Sequence, residues 1–230
     1  MNWLGAALRS LAFYLLFYGG SILLVIASVV AIIARKDRLP AVVATWGQWH
    51  LWCVENLLGI TVVLDGALPH GPVLIAVKHE SFFEAIDTPR LLEHPAVFAK
   101  QELFSIPGWG HSALTYGLIP VARGEGAKTL RAMLALAKQR VGEGRPLVIF
   151  PEGTRVAQGE RQPLQAGFAG LYKLLRLPVV PIAVDSARTY HHLVKRPGQI
   201  TYKVGETIPA GLPRADVEAR VHAAINALNG

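Results

Sequence analysis

Apolar and polar positions are patterned along this chain on three length scales. The longest is a single run, Leu11 to Ala34, of twenty-four residues without a charge. As a helix it would be roughly 36 Å long, against about 30 Å for the hydrocarbon core of a bilayer. It is too long for the apolar core of a signal peptide, and no small-residue cleavage pattern precedes Arg35. It therefore reads as a retained membrane anchor. Gly19-Gly20-Ser21 interrupts it and admits a bent or re-entrant course as well as a straight span. The second scale is a tryptophan at every third position, Trp46, Trp49 and Trp52, in a segment from Pro40 to Leu58. Such a stripe suits a helix seated at the lipid headgroups or one packed into a core.

The third scale is a series of short apolar runs separated by longer segments with helical spacing. Strands are predicted at Ile60–Leu64, Val73–Val77, Ala96–Ala99, Leu118–Val121, Leu147–Phe150, Val179–Val184 and Ile200–Val204. Helices are predicted at Phe83–Glu93, Gly126–Val141, Gly167–Leu175 and Ala215–Leu228. The alternation predicts an α/β fold: a mixed, largely parallel sheet flanked by helices, behind an N-terminal helical membrane anchor. Residues 1–58 would form the anchor helices and 59–230 the α/β domain. The polar, glycine-bearing stretch from Ala157 to Pro163 reads as a mobile loop.

Two of the predicted strands end in polar blocks. The run at 73–77 leads into Lys78-His79-Glu80-Ser81-Phe82-Phe83-Glu84. In an open α/β sheet the carboxyl ends of strands are where ligands bind. On a straight helix a spacing of five would set His79 and Glu84 about 140° apart, so they meet only if His79 lies in a loop and Glu84 in the first turn of the next helix. Asp87 is the second candidate partner for His79. The run at 147–150 leads into Pro151-Glu152-Gly153-Thr154-Arg155. There proline halts the strand, glycine permits close backbone approach and Arg155 offers a planar fork to an anion. Ser81 lies two residues from His79, but no nucleophile-elbow glycines surround it.

These blocks resemble the glycerolipid acyltransferases, and among them the bacterial enzymes acting on 1-acyl-sn-glycerol 3-phosphate. Gly117-Leu118-Ile119-Pro120-Val121-Ala122-Arg123 and Val179-Val180-Pro181-Ile182-Ala183 match further blocks in the expected order. Lys100-Gln101-Glu102-Leu103 and Pro107-Gly108-Trp109-Gly110 are similar to the segment between the first two. The resemblance covers about Val73 to Val184. It implies acyl transfer from acyl-CoA or acyl carrier protein to the sn-2 hydroxyl of lysophosphatidic acid, with His79 as general base oriented by Glu84 and no covalent intermediate. It places Lys100, Arg123, Glu152, Gly153, Thr154 and Arg155 on the substrate, and implies no cofactor beyond the thioester co-substrate. Three positions depart from the family pattern. Glu84 stands where aspartate is usual, Lys78 where asparagine is common, and Gln165 where a basic residue often precedes glycine. The last departure leaves room for another lysolipid acceptor. A lipid-binding protein without turnover is a third reading, opposed by the intact pair His79 and Glu84.

Composition adds location. Hydrophobic residues make up 52% of the chain, and its net charge is +7. No nucleic-acid-binding signature accompanies that charge, so an anionic membrane surface and phosphate-bearing lipids are the simpler partners. Arg35, Lys36 and Arg38 after the apolar run, against Arg9 and the amino terminus before it, favour a catalytic domain on the cytoplasmic face, and the resemblance implies that the membrane is a bacterial-type inner membrane. On the helix from Ala127 to Val141, the apolar residues Ala127, Leu130, Leu134, Ala137 and Val141 form a stripe. Lys128, Arg131 and Lys138 fall away from it and read as helix surface. Cys53 is the single cysteine, and His191-His192 lacks metal-ligand spacing, so no disulfide or metal is expected.

Overall fold

The computed structural model describes residues 3–122 and 126–229. Helix α1 (Trp3–Ala34) is followed by a 3₁₀ turn and α2 (Leu39–Cys53), which closes in a π turn at Val54–Leu58. Strands β1 (Ile60–Asp65) and β2 (Leu74–Val77) precede α3 (Phe83–Leu91), β3 (Ala96–Lys100), α4 (Trp109–Tyr116) and β4 (Ile119–Val121). Then come α5 (Gly126–Gly142), β5 (Leu147–Ile149), α6 (Ala166–Leu175) and β6 (Val179–Val184). The short α7 (Ala187–Tyr190), β7 (Gly198–Val204) and α8 (Arg214–Ile225) complete the chain.

The seven strands form one sheet in the order β1-β7-β6-β2-β5-β3-β4. Every pairing is parallel except β6 with β7. All four residues of β2 are buried because the strand is central and covered on both faces. Leu74 and Ala76 face a layer built from Phe168, Leu171 and Tyr172 of α6 and Val217 and Val221 of α8. Ile75 and Val77 face the opposite layer, which holds Phe13 and Phe17 of α1, Cys53 at the end of α2 and Phe83 of α3. The expected mixed, largely parallel sheet with flanking helices is thus the observed one. One apolar cluster joins α1 and α2 to the sheet, so packing is continuous across the boundary expected at residue 58.

Helix α1 runs unbroken through Gly19-Gly20, and it begins at Trp3, so Arg9 lies inside it. Gly20 is a notch: a Cβ there would collide with the Trp49 ring. Trp46 Nε1 donates to Ser21 Oγ at 2.9 Å. Two of the three stripe tryptophans therefore seal α1 to α2, while Trp52 remains exposed and stacks on Trp49 with centroids 5.3 Å apart. Helix α1 is also tied to the α/β layer in both its halves. In the first half Ser10 Oγ accepts the Lys195 N–H at 2.9 Å, and the Tyr14 hydroxyl donates to the Leu193 carbonyl at 2.7 Å. In the second, Ser28 and Ser112 hydroxyls lie 2.7 Å apart. Its other face exposes Leu4, Leu8, Leu11, Leu15, Ile22 and Ile26. The helix is long and apolar enough to cross a membrane.

Candidate active site

Three parallel neighbours, β5, β2 and β6, end at the same edge of the sheet and deliver Glu152, His79 and Ser186 to it. His79 lies in the loop after β2, and Glu84 is the second residue of α3, the arrangement their spacing demanded. His79 Nδ1 lies 2.9 Å from Glu84 Oε1. The same oxygen accepts the backbone N–H groups of Glu80 at 2.6 Å and Ser81 at 2.7 Å. Glu84 Oε2 accepts the Ser186 hydroxyl at 2.7 Å, with the Ser81 hydroxyl at 3.2 Å. Glu84 is fully buried, which alone would raise its pKa. The hydrogen bond and charge of His79, together with Ser81 and Ser186, hold it below the ordinary value. It is an anion that orients the imidazole through Nδ1 and leaves Nε2 without a hydrogen-bond partner among the described residues. The Phe150 ring packs against the imidazole at 4.4 Å between centroids.

Asp87 is turned away from this pair. Its two oxygens bind Arg90 at 2.6 and 2.7 Å, an ion pair on its own helix. Ser81 is equally committed: its hydroxyl is buried among Glu84 and Ser186 and accepts the Phe83 N–H at 3.0 Å.

Glu152 takes a position that sequence did not indicate. It is fully buried, Oε2 accepting the His79 N–H at 3.1 Å and Oε1 accepting Lys78 Nζ at 2.6 Å. Its contacts are thus with the backbone that carries the imidazole, whereas the family resemblance placed it on the substrate. Lys78 is buried as well, and its ammonium also donates to the Asn226 side chain at 2.9 Å and to the Glu160 carbonyl at 3.2 Å. The stretch expected to be a mobile loop is therefore tied down at Glu160, whose carbonyl also accepts Asn229 Nδ2 at 2.8 Å. The Val156 N–H donates to the His79 carbonyl at 2.8 Å, closing the turn onto the His79 loop.

Gly153 has a φ of +69°, and a Cβ there would press on the Gln165 side chain at 2.8 Å. Gln165 Nε2 donates to the Glu152 carbonyl at 3.3 Å, so it braces this turn where the family often has a cation. Thr154 and Arg155 follow, with Arg155 exposed and its guanidinium 4.1 Å from the Phe82 ring centroid. Phe82 is itself 57% exposed and gives the arginine a shelf beside the His79 loop. Lys100 is exposed at the carboxyl end of β3, two strands from β2, paired in register with Val121. Arg123 lies outside the described residues. His191 Nδ1 is 3.1 Å from the Glu80 carbonyl, which makes it a support of the loop. Sequence reading missed Lys78 as an anchor and Ser186 altogether.

The central parallel sheet, with its polar groups gathered at one carboxyl edge, defines an α/β enzyme. The family model described as Acyltransferase matches residues 59–185, more than half of the sequence, and the chain belongs to that family. A Pseudomonas aeruginosa protein named 1-acyl-sn-glycerol-3-phosphate acyltransferase is 27% identical over 213 residues, covering 89% of this chain and 82% of the relative. A Helicobacter pylori protein of the same name is 32% identical over 144 residues, 60% of each chain. The crystal structure of the 1-acyl-sn-glycerophosphate (LPA) acyltransferase PlsC from Thermotoga maritima shares the fold, with a TM-score of 0.72 at 18% identity over 96% of this chain and 93% of that one.

Proposed function

We propose that the protein transfers a fatty acyl chain from acyl-CoA or acyl carrier protein to the sn-2 hydroxyl of 1-acyl-sn-glycerol 3-phosphate, forming phosphatidic acid. The observation that carries this reading is the 2.9 Å contact between His79 Nδ1 and a buried, anionic Glu84, which leaves Nε2 for substrate. Nε2 takes the proton of the glycerol hydroxyl as its oxygen attacks the thioester carbonyl. The tetrahedral intermediate then collapses: the C–S bond breaks, the departing sulfur takes the proton back from His79 Nε2 to leave as the thiol, and the new ester remains on glycerol. Glu84 stabilises the imidazolium formed in the first step, a role worth about 10² to 10⁴ in rate for a general base. Arg155, held on the Phe82 ring, suits the acceptor phosphate, and Gly153 and Thr154 bring backbone close to it. Arg123 and Lys100 are assigned to the same anionic substrates on the family resemblance. Glu152 and Lys78 hold the His79 backbone.

Location follows from α1. Because both halves of this helix are tied to the α/β layer, its exposed apolar face would lie along one leaflet, with the site at the membrane surface on the cytoplasmic side.

The test is acyl transfer by detergent-purified protein with labelled acyl-CoA and acyl carrier protein donors. Lysophosphatidic acid would be offered beside lysophosphatidylcholine, lysophosphatidylethanolamine and lyso-ornithine lipid. Phosphatidic acid is expected from the parent and is expected to fall by at least 10²-fold in His79→Ala. Product from another acceptor alone would overturn the acceptor, and undiminished product from His79→Ala would overturn the base.

A further inference from the structure

Glutamate carries one methylene more than aspartate, and so one more rotatable bond, at the position that must hold the base. The N–H groups of Glu80 and Ser81 hold Oε1 from within the loop, and the fold holds Oε2 from outside it. Ser186 follows β6, the strand beside β2, and is fully buried with its hydroxyl 2.7 Å from Glu84 Oε2. The turn bearing it is fixed on both sides. Asp185 accepts the Thr201 N–H at 2.6 Å, and the Ala187 N–H donates to Glu80 Oε2 at 2.9 Å. Ser186 gives its one proton to Glu84 Oε2, and the Ser81 hydroxyl lies 2.7 Å from Ser186 and 3.2 Å from the same carboxylate oxygen. Ser81 in turn accepts from the Phe83 N–H. The carboxylate oxygen Oε2 is thus held in a buried network of two serines, with Ser186 reaching it from the neighbouring strand.

We propose that Ser186 is a positioning residue for His79: it fixes the rotamer of Glu84 so that Oε1 stays in line with Nδ1 while the imidazole takes up and returns the proton. The inference rests on the reading of His79 as the base. It also accounts for a glutamate in this role. On this proposal an aspartate, one bond shorter, gives up the Ser186 contact when it holds His79.

The experiment is a kinetic cycle on the full chain in detergent, comparing the parent, Ser186→Ala, Glu84→Asp and the double variant. Ser186→Ala is expected to lower kcat about 10-fold, the size of a lost hydrogen bond to a charged group, with KM for both substrates unchanged. In the Glu84→Asp background the same change should cost less than two-fold. A loss of equal size in both backgrounds, or a kcat for Ser186→Ala within two-fold of the parent, overturns the proposal. Should the alanine variant fail to fold, Ser186→Cys, with its weak donor, must still lower kcat at constant KM. The low-field proton resonance of His79 Nδ1–H reads the same geometry without turnover. It should move or broaden in Ser186→Ala, and an unaltered resonance also overturns the proposal. Failure of the general-base reading would show separately, as activity retained by His79→Ala.

Discussion

Lys78→Met is the sharpest test of how the catalytic loop is held. The substitution nearly preserves volume but deletes an ammonium from a fully buried site where it contacts Glu152 at 2.6 Å, Asn226 at 2.9 Å and the Glu160 carbonyl at 3.2 Å. Glu152 has no exposure through which water could replace the lost charge. Removing one partner of a buried ion pair costs about 3–5 kcal/mol, chiefly because the other charge is stranded. Against a total stability of roughly 5–15 kcal/mol, that is a large fraction. For a chain of this size it corresponds to a melting temperature lower by about 6–20 °C. Neutralising the stranded partner as well, in Lys78→Met with Glu152→Gln, should restore about half of the loss, since a buried amide costs far less than a buried carboxylate. The assay is thermal unfolding in detergent followed by tryptophan fluorescence, with acyl transfer measured at a temperature where all variants are folded. A loss below about 1 kcal/mol for Lys78→Met, or a double variant no more stable than the single one, would refute the reasoning. Transfer by the folded Lys78→Met protein should fall as well, because Glu152 also holds the His79 N–H.

Glu80 supplies a pH test. Burial, and secondarily the charge of Glu84, push its carboxyl up to about 7. Because the folded value exceeds the unfolded one, the native state binds the extra proton, and stability falls as pH rises from about 4.5 to 7. Glu80→Gln should therefore raise stability by on the order of 3 kcal/mol at pH 8 and hardly at all near pH 4.5, and melting curves with a pH-independent gap would contradict this. Phe82→Leu removes the shelf under Arg155, a contact worth about 0.5–1 kcal/mol at an exposed site. It should raise KM for lysophosphatidic acid about 2- to 5-fold at constant kcat, measured by initial rates, whereas a fall in kcat alone would assign the ring to the chemistry instead.

Legibility followed burial. The strands near 73–77, 147–150 and 179–184 could be read directly because parallel strands covered on both faces are short continuous apolar runs, and they stand at the middle of the sheet. Their polar ends, read together, marked the candidate site, and a spacing of five fixed which residue sits in the loop and which in the helix. Helix α4 escaped because it is only eight residues long, so that Trp109, Ala113 and Tyr116, at helical spacing, make too short a pattern to stand out. The antiparallel run of β7 is invisible in a single strand, since direction is a property of a pair. Ser186 gives no signal at all: a lone serine after an apolar strand is indistinguishable from a turn residue until another loop is folded against it. Lys78 misled for a different reason. Lysine is the side chain least expected in a core, and only the opposing Glu152 and Asn226 make its burial affordable. The tryptophan stripe left two readings open, and the structure divides them, with Trp46 and Trp49 facing α1 and Trp52 facing outward.

The bond between Lys78 and Asn226 joins residues 148 positions apart. At roughly 5–20 residues per second, a ribosome makes the His79 loop about 7–30 seconds before it makes helix α8. For roughly the first half of that interval β2 also lacks β5, and for roughly the first 70% it lacks β6, the strands that flank it in the finished sheet. The emerging chain must keep a lysine destined for the core in water, with its apolar strand unpaired beside it. Helix α1, by contrast, is made before any strand of the sheet. The order of synthesis thus puts the long apolar helix first among these elements and assembles the hydrogen-bonded centre around Lys78 last, so that a partly made chain carries its most apolar segment without a complete site.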